Sequence, residues 1–366
     1  MKHKNIITTV IFALMISAIS ALCLFKPHTI YSESERRFLA EKPVFSLDSV
    51  AAGEFMSEFE GYAADQFPAR DKLRSLKAMF AEYILNKKDN NGLFTADGHI
   101  SKIEYPANPH MTSHAKERFD YLYKTYMQDK NVNVYLSVVP DKNYFLAQKN
   151  GYPSINYEEF ISSFKHEMDY MKYIDILPML TLDDYYKTDS HWRQEKIQDI
   201  AWHIAESMGA DAKSLYTVNT LDYPFEGVYM GQSALPSKPD TLKYLTNDIL
   251  SECKVSYFDS GKAVTGDMYD MEKAYGKDPY EIFLSGTSAL IEIDNPNAKT
   301  DKELVLFRDS FGSSLAPLLV PGYSKVTVVD IRYLQSSFLG NFIKFDNQDV
   351  LFLYSTTLLN NSMGMR

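Results

Sequence analysis

Three short apolar segments near the carboxyl end, Glu303–Phe307, Lys325–Val329 and Val350–Tyr354, restrict this chain more than any other feature. Each is rich in branched or aromatic residues and too short to be a helix. Stretches suited to helices lie between them, near Ser314–Leu319 and Tyr333–Ile343. Buried strands that read as continuous apolar runs and alternate with amphipathic helices belong in a mainly parallel sheet covered on both faces, an α/β fold. The same rhythm starts earlier. Val132–Val139 is an apolar run that stops at Pro140, a helix is predicted over roughly Tyr157–Met171, and Ile174–Leu177 reads as a short strand. Trp192–Met208 is predicted to be a helix, with Ile197, Ile200, Ala201, Ile204 and Met208 on one stripe and Gly209 as its stop. Residues 215–295 break the rhythm and read as hairpins and loops over one end of the sheet.

Upstream, the chain divides into 1–27, 28–90 and 91–366. Lys2, His3 and Lys4 precede a run from Ile6 to Phe25 that contains no charge. At 1.5 Å per residue it covers ~30 Å, the depth of a bilayer core. Basic residues ahead of the run hold the N-terminus in the cytoplasm and place the remainder outside, as a single-pass membrane protein. A cleavable signal is the competing reading, with Ala18-Ile19-Ser20 as the cleavage site and a secreted product. Residues 28–90 read as a polar juxtamembrane linker and two helices within Glu54–Leu85, interrupted at Pro68. The Asp65-Gln66-Phe67-Pro68 stretch is expected to be the turn between them.

Composition narrows the function. The net charge of −10, with no basic run after the N-terminus, excludes an ordinary nucleic-acid binder. It also disfavours a strongly anionic polymer as partner. The 26 Tyr and 22 Phe suit a large aromatic core with hydroxyls at its rim, with a sugar-binding surface as the lesser alternative. The two cysteines, Cys23 and Cys253, cannot make a disulfide framework. His99, His110, His114, His166 and His203 lack ligand-like spacing, so no metal or other cofactor is expected, although Asp189, His191 and Asp309 are groups able to ligate one.

Two segments carry chemistry. In Thr188-Asp189-Ser190-His191-Trp192, an Asp and a His two residues apart in extended backbone point the same way, so the carboxylate can orient the imidazole. Helix capping is the bland reading of the same residues. In Leu304–Ser314, an apolar strand runs directly into Asp309-Ser310 and then a helical pattern. A serine on a strand-to-helix turn sits at the carboxyl edge of a parallel sheet, beside amides able to stabilise an oxyanion. Capping again competes. Together the segments supply a nucleophile, Ser310, a base, His191, and an orienting acid, Asp189.

Asp-x-His-Trp followed far downstream by a strand and Asp-Ser-Phe resembles the DHHW family of bacterial exported proteins. It is also similar to alginate O-acetyltransferase-like domains, which have an SGNH-hydrolase-like fold with permuted motif order. Glu35-Arg36-Arg37, Asp65–Pro68, Val139-Pro140-Asp141-Lys142, Phe225-Glu226-Gly227 and Asp330-Ile331-Arg332-Tyr333 look like further family blocks, so the resemblance runs from about residue 30 onward. Two positions depart from the pattern: Ser190 stands where the family name has a second His, and Arg308 precedes Asp309-Ser310 where SGNH enzymes have Gly. Arg308 is then a candidate to bind a substrate carboxylate or to crowd the oxyanion hole. Gly286, after a strand-like Glu281–Leu284, and Gly227 are candidate oxyanion donors. Lys142 is a candidate to reach the site from a strand end, with a solvated loop lysine as the alternative. Arg332 is a candidate anion ligand, with pairing to Asp330 or Asp309 as its alternative.

The resemblance implies an O-acetyltransferase acting on a surface or secreted polysaccharide through an acetyl-serine, with a membrane-bound O-acyltransferase as partner. The same residues serve a carbohydrate esterase if water is the acceptor. A non-catalytic glycan-binding or assembly subunit is the third reading.

Overall fold

The computed structural model describes residues 2–259 and 262–366. The chain divides into two compact units, one formed by Met1–Asn91 with Met230–Ser237, the other by Gly92–Tyr229 with Lys238–Arg366.

The first unit begins with the helix Lys2–Phe25. Its segment Lys4–Cys23 is long and apolar enough to cross a membrane, and none of that segment is buried. A two-residue pair follows, β1 (Tyr31–Ser32) and β2 (Arg37–Phe38). The helices Glu54–Asp65 and Arg70–Met79 are parted at Pro68, and Ala69 takes left-handed backbone (φ 54) at the junction. Arg37 grips the Asp65 carboxylate with both terminal nitrogens (2.9 and 2.7 Å). Arg70 and Arg74 reach Glu35 (2.5 and 3.1 Å). The Glu35–Arg37 and Asp65–Pro68 blocks therefore form one ion-pair cluster that ties the linker to the helical turn.

The second unit is built on an eight-stranded sheet. A hairpin, β3 (Leu93–Ala96) and β4 (His99–Lys102), lies outside it. Its strands are β5 (Asn133–Val139), β6 (Lys172–Tyr173), β9 (Lys254–Asp259), β10 (Lys262–Gly266), β11 (Leu290–Asp294), β12 (Glu303–Arg308), β13 (Lys325–Val329) and β14 (Asp349–Ser355). They run in the order β10-β9-β11-β13-β12-β14-β5-β6. From β13 to β6 every pairing is parallel. A separate antiparallel hairpin pairs β7 (Thr217–Phe225) with β8 (Asp240–Thr246).

The alternation of side chains along each strand sorts the core into two layers. Leu304, Leu306, Val326, Val328, Leu351 and Leu353 face the helices Gln198–Ser207 and Ser310–Leu319. Val305, Phe307, Val350, Phe352 and Leu136 face the helices Pro109–Leu122 and Tyr157–Glu167. Phe307 stacks on Phe352 across the parallel pair at 4.6 Å between centroids. The mainly parallel, helix-covered sheet predicted from the sequence is present.

Several expectations are corrected. Residues 215–295 do not simply overlie the sheet: β9, β10 and β11 extend it as antiparallel strands. The strand expected at Ile174–Leu177 falls instead at Lys172–Tyr173, and Leu177–Met179 is a 3-10 turn containing Pro178. Glu281–Leu284 is not a strand, because Pro279 starts a 3-10 turn ending at Ile282. Tyr333–Ile343 gives only the 3-10 segment Ser336–Asn341. The helix predicted from Trp192 begins at Gln198, since Trp192 is held in a bridge to Tyr185 and cannot take helical backbone.

Candidate active site

The carboxyl ends of β5, β12, β13 and β14 share one edge because the four strands are parallel. The residues that follow them converge on a cavity of about 230 Å³, whose lining includes Asp141, Asp309, Ser310, Arg332, Ser355 and Thr357.

Ser310 opens the helix Ser310–Leu319 directly after β12. Asp309 caps that helix, its carboxylate accepting from Phe311 N (3.0 Å) and from Ser355 N (2.8 Å) at the end of β14. The carboxylate thus ties the serine turn to the neighbouring strand. It also explains why Asp rather than another residue precedes the serine: its two oxygens satisfy two buried amide donors.

Asp189 and His191 sit at the tip of a narrow hairpin. Its stem is the Tyr185–Trp192 bridge, closed by Tyr186 N to His191 O (3.0 Å) and Arg193 N to Asp184 O (2.7 Å). Asp189 Oδ1 lies 2.6 Å from His191 Nδ1, and His191 Nε2 lies 2.7 Å from Ser310 Oγ. The structure thereby brings together the three residues singled out from two segments 119 positions apart. Asp189 is fully buried, and its oxygens also accept from His191 N (3.0 Å) and Val228 N (2.8 Å). An ionised carboxylate only accepts, so Nδ1 carries the proton and Nε2 is left as the acceptor for the serine hydroxyl.

The ring is also fixed from its face. Tyr280 stacks on His191 at 3.9 Å and 8° between planes, while its hydroxyl pairs with Ser314 Oγ (2.8 Å). Burial raises the Tyr280 phenol well above its ordinary value, so it stays protonated. Trp192 turns into the core, and its indole N–H donates to Ser314 Oγ (2.9 Å) and Phe311 O (3.1 Å). It fastens the hairpin carrying His191 to the helix carrying Ser310. Sequence reasoning missed Tyr280 and Val228: nothing in a Tyr-rich segment or a lone Val marks a ring partner or an amide donor.

Among the remaining candidates Arg332 pairs with Asp330, one of the two roles expected of it, whereas Gly227, Gly286, Arg308 and Lys142 are placed differently from expectation. Gly227 N donates to Thr188 Oγ1 (3.0 Å) and Gly286 N to Phe283 O (3.2 Å), so neither amide is available to an oxyanion. Gly227 has another role, because a Cβ there would lie 2.3 Å from the Thr188 carbonyl. Only glycine lets this segment approach closely enough for Val228 to reach Asp189.

Arg308 does not crowd the serine. It is buried, and its terminal nitrogens turn to Asp330 (3.4 Å) and Gly286 O (3.3 Å). Arg332 lines the cavity and is held by Asp330 through two bonds of 2.9 and 2.6 Å. Burial alone would lower its guanidinium, but the Asp330 hydrogen bonds raise it further. Lys142 is neither a solvated loop lysine nor a lining residue: only 1% of it is exposed, and Nζ donates to the carbonyls of Tyr186 (2.9 Å) and Lys187 (3.2 Å). Asp141 does reach the cavity. Burial pushes its carboxyl up to about 6, partly offset by donors from Thr356 and Tyr157.

A sheet of this topology, with a serine on the turn after a central parallel strand and an Asp-x-His from an upstream loop, defines an SGNH-hydrolase-like domain with permuted motif order. Within that class the resemblance to the DHHW family holds: the family model described as DHHW protein matches residues 179–329. The chain is similar in structure to a DHHW family protein from Eubacterium siraeum, with a TM-score of 0.62, 21% identity, and coverage of 76% of this chain and 95% of the other. It is also similar to Bacillus cereus PatB1 with a sulfonyl adduct, with a TM-score of 0.60, 20% identity, and coverage of 73% and 95%. No curated protein sequence matches the chain significantly.

Proposed function

We propose that this chain is a membrane-anchored, extracytoplasmic O-acetyltransferase that moves an acetyl group onto a hydroxyl of a cell-surface or secreted polysaccharide. The observation that carries this reading is the hydrogen-bonded relay Asp189–His191–Ser310 ending at a solvent-connected cavity. Its polysaccharide and acetyl specificity rests on the resemblance to alginate-type domains.

In this reading Nε2 of His191 takes the Ser310 proton as Oγ attacks the acetyl carbonyl. The resulting imidazolium is stabilised by Asp189 at 2.6 Å. The developing oxyanion faces the Ser310 amide, the first N–H of the helix that follows, where the helix dipole is positive. His191 then protonates the leaving oxygen, and acetyl-Ser310 remains. A sugar hydroxyl gives its proton to Nε2 and attacks the acetyl-serine; the bond from Ser310 Oγ to the acetyl carbon breaks, and Nε2 returns the proton to Oγ. The apolar, uncovered helix Lys4–Cys23 supports an anchor that holds the domain outside the membrane, beside a membrane-bound O-acyltransferase supplying the donor.

The test is acetyl-ester turnover by the full chain in detergent, with Ser310→Ala and His191→Ala in parallel. Loss of either residue lowers kcat by ~10⁴ to 10⁶. Acetyl transfer to added oligosaccharide supports the transferase. Release of acetate with no transfer turns the reading to an esterase. Equal background rates in all three proteins turn it to a non-catalytic subunit.

A further inference from the structure

The turn that delivers Asp189 is held by two opposite charges. On one side the buried ammonium of Lys142 donates to the carbonyls of Tyr186 (2.9 Å) and Lys187 (3.2 Å). On the other the Asp240 carboxylate accepts from Lys187 N (3.0 Å), Thr188 N (2.7 Å) and Thr188 Oγ1 (2.7 Å). Of the three residues immediately before Asp189, Tyr186 and Lys187 thus have their carbonyls bound by a cation, and Lys187 and Thr188 have their amides bound by an anion.

Lys142 comes from the end of β5, and Asp240 begins β8, so the clamp joins two elements far apart in the chain. The cation is costly where it stands, and burial pulls the Lys142 ammonium down to about 7 against the attraction of Asp189, Asp240 and Asp141. The ring of Tyr229 lies 5.1 Å from Nζ. A buried lysine aimed at backbone carbonyls does little for packing that Leu or Met would not do better. Its geometry suits fixing the backbone.

We infer that Lys142 and Asp240 are a pair of positioning residues that set the Asp189–His191 hairpin against Ser310, so that removing either charge slows the serine without displacing it. The inference rests on Ser310 being the nucleophile, and its test separates the two claims. Sulfonylation by phenylmethanesulfonyl fluoride forms a bond from Ser310 Oγ to sulfur, expels fluoride and passes the serine proton to His191. It needs neither acetyl donor nor acceptor. Its second-order rate, read by intact mass on the full chain in detergent, reports the relay directly.

Lys142→Met and Asp240→Asn are expected to label ~10- to 100-fold more slowly, in line with losses seen when supporting partners of a reactive group are removed. Lys142→Arg, which keeps the charge and the donors, is expected to recover most of that rate. Melting temperatures confirm that each variant is folded at the assay temperature. Asp240→Asn decides the matter if Lys142→Met does not fold. Rates within twofold of wild type in the folded variants, or no recovery in Lys142→Arg beside a slow Lys142→Met, overturn the clamp while leaving the nucleophile intact. Absence of labelling in the wild type overturns the nucleophile and the clamp with it.

Discussion

In the proposed relay His191 accepts a proton at one nitrogen while keeping one at the other, and its neighbours divide that work. Asp189 is the acceptor for Nδ1–H, Tyr280 holds the ring plane, and Ser310 meets Nε2. Asp189→Asn offers an amide N–H where an acceptor is needed and favours the wrong tautomer. It is expected to lower kcat by ~10⁴ with little change in melting temperature. Gly227→Ala places a methyl 2.3 Å from the Thr188 carbonyl and must push the Val228 amide off Asp189. Overpacking of this kind costs roughly 1–3 kcal/mol, so both urea stability and turnover should fall together. Asp141 gives a pH signature. Unfolded, its carboxyl releases its proton near 3.8; folded, near 6. Between those values the folded protein binds more protons than the unfolded chain, so this group's contribution to stability declines as pH rises and its full cost stands above pH 6. In melting curves taken from pH 4 to 7, Asp141→Asn should gain stability relative to wild type as pH increases. A parallel offset at every pH would count against a raised carboxyl.

Among the elements, the decisive joint is between the hairpin and the helix Ser310–Leu319. Trp192 is fully buried and gives the hairpin both apolar contact and an N–H for Phe311 O and Ser314 Oγ. Trp192→Phe keeps most of the contact and leaves those acceptors short of a donor, a cost of about 1–3 kcal/mol. Because the joint sets His191 against Ser310, the proposed function predicts that turnover falls by more than the loss of folded protein explains, as urea titration beside kcat would show. The sheet itself is more tolerant. Phe352→Ala, which removes a ring packed on Phe307 and Phe119, is expected to cost about 3–5 kcal/mol and to leave the kcat of the remaining folded protein near wild type.

For the whole molecule the first question is where it resides. Lys4–Cys23 is an apolar helix of 20 residues with no burial, long enough to cross a bilayer. The full chain should remain with membranes after alkaline carbonate extraction, and a chain lacking residues 1–27 should be released. Full release of the intact polypeptide's mature form, shortened near Ser20, would instead identify a cleaved signal.

The sequence by itself determined the parallel centre of the sheet. Strands buried on both faces must be continuous apolar runs, and β5, β12, β13 and β14 stand within a residue or two of where those runs lie. It also marked Asp189, His191 and Ser310, since a strand running into Asp-Ser and a D-x-H-W at a loop are local patterns. The rest follows from contacts between segments distant in the chain. The antiparallel edge formed by β9, β10 and β11 depends on partners brought together by folding, and β10 at its margin is too exposed and too polar to read as a buried strand. The places of Arg308, Gly286, Gly227 and Lys142 likewise follow from long-range partners. Each had a plausible local reading, but a buried charge or amide is assigned by what lies within hydrogen-bond distance of it, and composition and spacing do not record that distance.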